Sequence, residues 1–554
     1  MDRAAGLFSG LSNGLVSPMN ERMNWRLRSR GVSGITGVIC CLGVLGHGAV
    51  RAAHNPILWA DVPDLAMVRV GNTYYMSSTT MHMSPGVPIM KSTDLVNWTI
   101  VNYAYDILED VDELNLERGK SDYGRGSWAS SIRYHQGRFY VSTFCHTTRK
   151  TYIYWTTNVE TGPWESRSFQ PALHDHSLFF DDDGRVYMLY GVGNLWLAEL
   201  NEDLSGLKEG GIHQVVISNA HAVVTLDVGL PAEGSQLFKY NGKYYLFNIC
   251  WPRGGMRTVV IHRADRLTGP WEGRLGLQDK GVAQGSLIDT PDGRWYAYLF
   301  RDWGAVGRVP YLVPVRWEAG WPVLGIDGKV PDELPDLPTS RGLIPGTVAS
   351  DEFDRKPGDR PLPLVWQWNH NPDSRFWSIS ARPGYLRLIG GRVDREFEQV
   401  RNMLTQRTFG PECSGWVTLD VSHLKDGDCA GLALLQRHYG YVAVRQEGAT
   451  RWIVMVNRSG SKPVEVERIP LEQTVVHLRA ECDFRDLVDT GWFSYSLDGR
   501  TWRRVGNTLR MQYTIPHFMG YRFALFHWAT REPGGWSDFD SFRVSTKTSG
   551  PAGL

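Results

Sequence analysis

The sequence has no excess of charge of either sign. Lys and Arg number 59, as do Asp and Glu, for a formal net charge of zero. It therefore lacks the basic footprint that a nucleic-acid binder lays against phosphate, and nucleic acid is excluded as a partner. Cysteine is scarce. Past the N-terminal region only Cys145, Cys250, Cys413, Cys429 and Cys482 remain, odd in number and widely spaced, which supports neither a disulfide framework nor a zinc site. No long segment repeats apolar residues at the helical period. The apolar stretch between Gly31 and Val50 is rich in Gly with a His near its end, a poor spanning helix.

The N-terminus has the layout of an export signal: "MNWRLRSRGVSGITGVICCLGVLGHGAVRAA" joins an arginine-bearing start, an apolar stretch and small residues at Ala52 and Ala53 where a signal peptidase cuts. The expected location is secreted or periplasmic, with no membrane attachment after leader cleavage. A length of 554 residues suggests two domains beyond the leader. Trp and Tyr are abundant, at 22 and 23. Their flat faces with a polar edge suit sugars, although most of them are expected to fill β-sheet cores.

Five segments share one pattern of short strand, Gly turn and aromatic-rich strand: "DLAMVRVGNTYYMSS" from Asp64, "SSIRYHQGRFYVSTF" from Ser130, "DHSLFFDDDGRVYMLYG" from Asp175, "EGSQLFKYNGKYYLFNI" from Glu233 and "QGSLIDTPDGRWYAYLF" from Gln284. Each reads as a β-hairpin, with Gly71, Gly137, Gly184, Gly242 and Gly293 supplying the positive φ of the turn. The outer halves recur as well, in "PIMKSTDLVNW", "YIYWTTNVETGPWE" and "VVIHRADRLTGPWE". Four strands repeated five times describe a five-bladed β-propeller, an all-β fold. An irregular sandwich would give similar strand counts without the recurring turn grammar.

The first strand of a propeller blade lines the central channel, so residues at its start meet at one mouth. There the repeats place Asp64, Ser130, Asp175, Glu233 and Gln284. A single acid beside Gly, Pro or Ser is ordinarily a turn residue. Three at equivalent places are harder to explain that way, because unpaired carboxylates crowded on one axis repel each other. Two carboxyl groups across a glycosidic bond suffice for its hydrolysis, one protonating the leaving oxygen and the other activating water or attacking carbon. A third would tune the acid. A metal site is the other use of such a cluster. In "HDHS", His174 and His176 flank Asp175, but residues two apart share a strand face and leave the acid on the opposite one, which argues against joint chelation. "DDDG" at 181–184 is expected to be a solvated turn. Asp61, on the same turn as Asp64, is the rival base.

"NPILWADVPDLAMVRVGNTYYM", "HDHSLFFDDDGRVYMLYG", "EGSQLFKYNGKYYL" and "DTPDGRWYAYLF" together resemble the inverting glycoside hydrolases of family 43, the β-xylosidase and α-L-arabinofuranosidase group. The resemblance implies Asp64 as general base, Glu233 as general acid and Asp175 as the residue that tunes and orients the acid. It also implies Arg308, in "AVGRVP", as a sugar or carboxylate contact, with Trp128, in "GSWASS", and Trp251 as walls for a sugar ring. The chain departs from the family in reading "PDLA" where relatives carry Pro-Asp-Pro. Gln284 and Trp303 stand where many relatives place a His, which weakens the case for a structural calcium. No metal or other cofactor is expected in the chemistry.

After "LPDLPTSRGLIPGT" short alternating strands such as "SGWVTLDVSH", "AGLALLQRHYGYVAV" and "GWFSYSLDGRTW" follow the grammar of a two-sheet β-sandwich. It resembles the concanavalin-like jelly roll attached to many family 43 enzymes. It would serve as a sugar-binding module, as a wall of the site through a loop near Phe518, or as a stabilising appendage. The expected division is leader and extension over 1–53, propeller over 54–335, linker over 336–349 and sandwich over 350–546. The expected function is exo-acting removal of xylose or arabinose from xylo-oligosaccharides or arabinoxylan-derived chains. Two alternatives stay open: a retaining fructan-type hydrolase and a non-catalytic glycan-binding propeller. Quaternary state is not legible in the residues.

Overall fold

A computed structural model describes residues 52–550, and the N-terminal leader expected over residues 1–53 lies almost wholly outside them. Five four-stranded antiparallel sheets follow one another along the chain, four of them built from consecutive strands and the first skipping the two-residue strand Met83–Ser84. Their first strands are Ala66–Val70, Ser131–His135, Ser177–Phe180, Val228–Tyr240 and Ala283–Asp289, which open blades I to V. These strands touch one another in ring order, I with II, II with III, III with IV, IV with V and V with I. All five turn glycines have positive φ, from 60° at Gly71 to 86° at Gly293, so the hairpins form where the sequence places them. Helical structure among the described residues is limited to five short 3₁₀ turns, and no helix there is long and apolar enough to cross a membrane.

The ring is tied where its first residues meet its last. Ala52–His54 pairs with Glu333–Pro338, and the next residues run along blade V, with Ile57 N–H donating to Pro310 O and Val62 N–H to Arg308 O, both at 2.9 Å. Arg69 Nε donates to Asp289 Oδ1 at 3.0 Å, joining the first strands of blades I and V. Inside the ring, Arg133 on blade II reaches the Ser177 hydroxyl at 2.6 Å and the Leu237 carbonyl at 3.1 Å, so a protein cation links three blades.

The second domain is a sandwich of an eight-stranded and a seven-stranded sheet, closed around Leu432, Val442, Phe523, Phe539 and Phe542, all fully buried. One edge strand of the larger sheet is Met83–Ser84, which leaves blade I to pair with Gln367–Asn369. One apolar cluster runs from Trp98, Tyr103 and Val306 of the propeller to Trp368, Phe409 and Phe523 of the sandwich. Burial of that seam, which no local pattern announces, fixes the sandwich against one mouth of the ring. The five cysteines among the described residues are all buried and free; Cys413 and Cys482 stand directly opposite each other on neighbouring strands.

Candidate active site

Asp64, Asp175 and Gln284 sit at or just before the first strands of their blades with φ of 50°, 48° and 53°. In blade IV the left-handed residue is Gly234, at 67°. For a residue with a Cβ this conformation costs on the order of 1 kcal/mol, and such strain gathers where a side chain must be aimed against the regular strand geometry. Here it turns the acids toward one mouth of the ring. The Pro that "PDLA" lacks is replaced by hydrogen bonding: Pro63 O accepts from the Ser78 hydroxyl at 2.7 Å and from Thr79 N–H at 3.3 Å.

Asp64 is buried and both its oxygens accept from Arg308 Nη1, at 2.9 and 3.0 Å. Burial raises the Asp64 carboxyl above its ordinary range, and Arg308 and then Arg257 oppose that rise. Arg308 is only 2% exposed, and its Nε and Nη2 have no protein partner. Two buried cationic donors without acceptors suit a hydroxylated ligand. The rival, Asp61, is committed elsewhere. Its Oδ1 accepts from Arg308 N–H at 2.8 Å and its Oδ2 from Gly520 N–H at 2.9 Å, so it clamps blade V to the sandwich.

Asp175 and Glu233 form a second group. Gly234 N–H donates to Asp175 Oδ2 at 2.9 Å, which brings the two acids together through the turn after Glu233. His174 Nε2 lies 3.1 Å from Glu233 Oε2 and 3.8 Å from Asp175 Oδ2. Burial raises Asp175 to about 7; His174 opposes that shift, while Glu233 and Asp64 add to it. For His174 burial works against the charge, but Asp175 and Glu233 outweigh it and its pKa rises to about 9. The three residues offer ligand atoms within 4.8 Å of one another, a spacing that would suit a cation. With its pKa raised to about 9, His174 is itself expected to carry a positive charge among the acids.

The histidines correct the sequence reading. Alternation along a strand placed His174 and His176 on one face with Asp175 opposite. However, the strand begins only at Ser177, and the left-handed turn at Asp175 breaks the alternation. His174 joins the acids, whereas His176 is directed away, to Leu173 O at 2.8 Å and the Ser142 hydroxyl at 2.9 Å. "DDDG" is also more than a solvated turn: the Asp181 carboxylate accepts from Tyr244 at 2.8 Å and from Lys239 at 3.2 Å.

Trp128 stacks on Phe518 with centroids 5.6 Å apart and 29° between planes. The Arg308 guanidinium lies 4.5 Å from the Phe518 centroid. Phe518 of the sandwich thus packs on Trp128 and beside Arg308, the partner of Asp64, so the sandwich reaches the candidate site. Trp251 donates its indole N–H to Gly255 O at 2.9 Å, and Arg257 lies over its ring at 5.4 Å. Gln284 packs against Gly234, where an added Cβ would come within 2.8 Å of it, so its side chain backs the turn that carries Glu233. Trp303 faces the sandwich, edge-on to Trp59 at 5.0 Å and donating to Phe484 O at 3.3 Å. Sequence reasoning placed His174 on the wrong face and missed His146 and Arg257. The "HD" dipeptide was the one available signal; Arg257, which pairs with Asp302 at 2.7 Å, had none.

The group around Asp175 carries a stability consequence. The native pKa of Asp175 is about 7 against an ordinary 3.8, and that of His174 about 9 against 6.5. The folded chain thus holds protons that the unfolded chain has released, and stability falls as pH rises from about 4 through about 9. Asp175→Asn removes the buried acid, so it is expected to raise the melting temperature at pH 8 on the order of 1–3 °C and to flatten its decline between pH 5 and pH 8, while lowering activity. Calorimetry across that range measures both effects.

Comparison with known proteins follows the same outline. Residues 53–322 match the profile described as Glycosyl hydrolases family 43, and residues 350–545 match the Beta xylosidase C-terminal Concanavalin A-like domain. A beta-xylosidase of Formosa agariphila is 28% identical over 545 residues, covering 88% of this chain and 89% of its own. A non-reducing end alpha-L-arabinofuranosidase of Bacteroides ovatus is 27% identical over 428 residues, 72% of this chain and 77% of its own. A solved structure described as a bifunctional GH43-CE of Bacteroides eggerthii superposes with a TM-score of 0.89 at 63% identity. The match covers 90% of this chain but 64% of that longer one.

Proposed function

The chain belongs to glycosyl hydrolase family 43, and on that footing we propose that it is an exo-acting enzyme that releases xylose or arabinose from the ends of xylo-oligosaccharides or arabinoxylan-derived chains, after export to the periplasm or the medium. It is a glycoside hydrolase of an inverting family, which sets aside the retaining fructan-type alternative. The substrates named for the xylosidase and arabinofuranosidase relatives support the sugar class.

In the proposed mechanism Asp64 takes a proton from water as the water attacks the anomeric carbon, and Glu233 protonates the departing oxygen. Asp175 orients the acid through the Gly234 turn. Arg308 holds Asp64 in place and offers its free N–H groups to a sugar hydroxyl, while Trp128, Trp251 and Phe518 would wall the ring. All proton transfers are supplied by side chains, and no cofactor enters the bond cleavage. The observation that carries this reading is the pairing of one acid with a buried arginine and of the other two with a shared histidine, which gives chemically similar groups different environments.

A screen of nitrophenyl β-xyloside against nitrophenyl α-arabinofuranoside tests the substrate class. Proton NMR at early times is expected to show the inverted anomer first, α-xylose from a β-xyloside. Binding of oligosaccharide without release of a monosaccharide would favour the non-catalytic alternative.

A further inference from the structure

We infer that His174 holds the proton that Glu233 delivers, so that the acid of this site is a histidine and a glutamate acting as one unit, with His146 positioning the histidine for the exchange. The inference rests on the reading of Glu233 as the acid.

Both nitrogens of His174 are committed. Nε2 faces Glu233 Oε2 at 3.1 Å, and Nδ1 faces His146 Nε2 at 3.3 Å. The two imidazoles lie 5.5 Å apart with 26° between their planes. Trp128 and Phe144 meet the His146 ring edge-on, at 5.4 and 5.2 Å, and hold it at the rim, where it is exposed. A contact between two imidazole nitrogens requires one to donate and the other to accept. His146 is the acceptor: the desolvation of its ring against Trp128 and Phe144, then the neighbouring charge of His174, push its pKa down to about 4. Its Nε2 therefore presents a lone pair and fixes the Nδ1 proton of His174. The mobile proton of His174 is then the one on Nε2, directed at Glu233.

The groups that face this pair settle where the charge resides. Asp175, Glu233 and Asp64 act on His174 from three blades. Among positive groups, Arg125 acts on His146, and His176 is held neutral by burial, near 4. The carboxylates prevail and His174 is the imidazolium.

In the reaction His174 passes its Nε2 proton to Glu233, becoming a neutral imidazole that still donates Nδ1–H to His146. Glu233 passes a proton to the glycosidic oxygen, which keeps the electron pair of the breaking bond. The oxygen of water bonds to the anomeric carbon, and its proton goes to Asp64. One proton leaves the imidazolium and one reaches Asp64, so the charge of the pocket is unchanged. Once product departs, the proton on Asp64 returns to His174 through water in the emptied pocket.

The test follows the pH profile of kcat/KM in the whole protein, with an unactivated xylo-oligosaccharide and an activated dinitrophenyl glycoside. His174→Asn leaves the shared proton to carboxylates alone, so the alkaline limb for the oligosaccharide is expected to move down by about one pH unit or more. The activated glycoside should lose less than about 10-fold. His146→Phe keeps the ring packing and removes the acceptor, and is expected to shift the limb in the same direction by less. Nitrogen-15 NMR of His174 should show both nitrogens protonated at pH 7, with the titration moving lower in Glu233→Gln. A neutral His174 at pH 7, or a fall in kcat in both variants with the alkaline limb in place, overturns the inference. Failure of the underlying reading is distinct: Glu233→Gln would then cost activated and unactivated substrates equally, whatever His174 does.

Discussion

Asp64→Asn is expected to lower kcat/KM by about 10³-fold or more on every glycoside the enzyme cleaves, because activation of water is common to all of them. Leaving-group quality should not alter the loss. The reason lies in the pairing with Arg308, which occupies both oxygens of Asp64 and holds it beside two unpartnered N–H groups. The amide keeps the size of the side chain but neither takes a proton nor balances the guanidinium. An uncompensated charge at that depth costs on the order of 3–5 kcal/mol. The melting temperature is therefore measured beside the rate, so that loss of catalysis is separated from loss of fold. A folded variant that retains more than a tenth of the parent activity would remove Asp64 from the role of base.

Glu233→Gln should divide substrates. For xylo-oligosaccharides, whose leaving alcohol requires a proton, kcat is expected to fall by about 10³-fold, whereas dinitrophenyl glycosides, which depart as stable anions, should lose on the order of 10-fold or less. KM for the activated substrate is expected to stay near the parent value, because an inverting enzyme forms no covalent intermediate whose later hydrolysis could become limiting. Rates across a series of phenols measure the effect directly: the variant should depend steeply on phenol pKa and the parent weakly. A uniform loss across the series would mean that Glu233 shapes the pocket without delivering a proton, and the roles of Asp175 and His174 would need to be reassigned with it.

The blades were legible because the turn chemistry is local. Gly71, Gly137, Gly184, Gly242 and Gly293 each require a left-handed residue between two strands, and that requirement can be read within four residues. The position of the acids followed from the repeat itself. What could not be read depends on contacts between distant segments. Asp61 and Asp64 look equivalent in "ADVPDLA", and only the approach of Gly520, more than four hundred residues later, separates clamp from candidate base. His174 was placed on the wrong face because alternation assumes extended backbone, and Asp175 is not extended. Arg257 carries no local signature; it acts through the electrostatics of Asp64 from another blade. The two-residue strand Met83–Ser84 is too short to announce itself, and its partner lies nearly three hundred residues away.

That short strand limits how the molecule can be taken apart. A segment from the first blade completes a sheet of the second domain, Asp61 bonds to both, and one apolar seam is shared between them. Shuffling the C-terminal half for a different carbohydrate-recognition module would leave an edge unpaired, bare Trp98 and Val306 to water and remove Phe518 from the pocket rim. The two domains are therefore exchanged only at the cost of both.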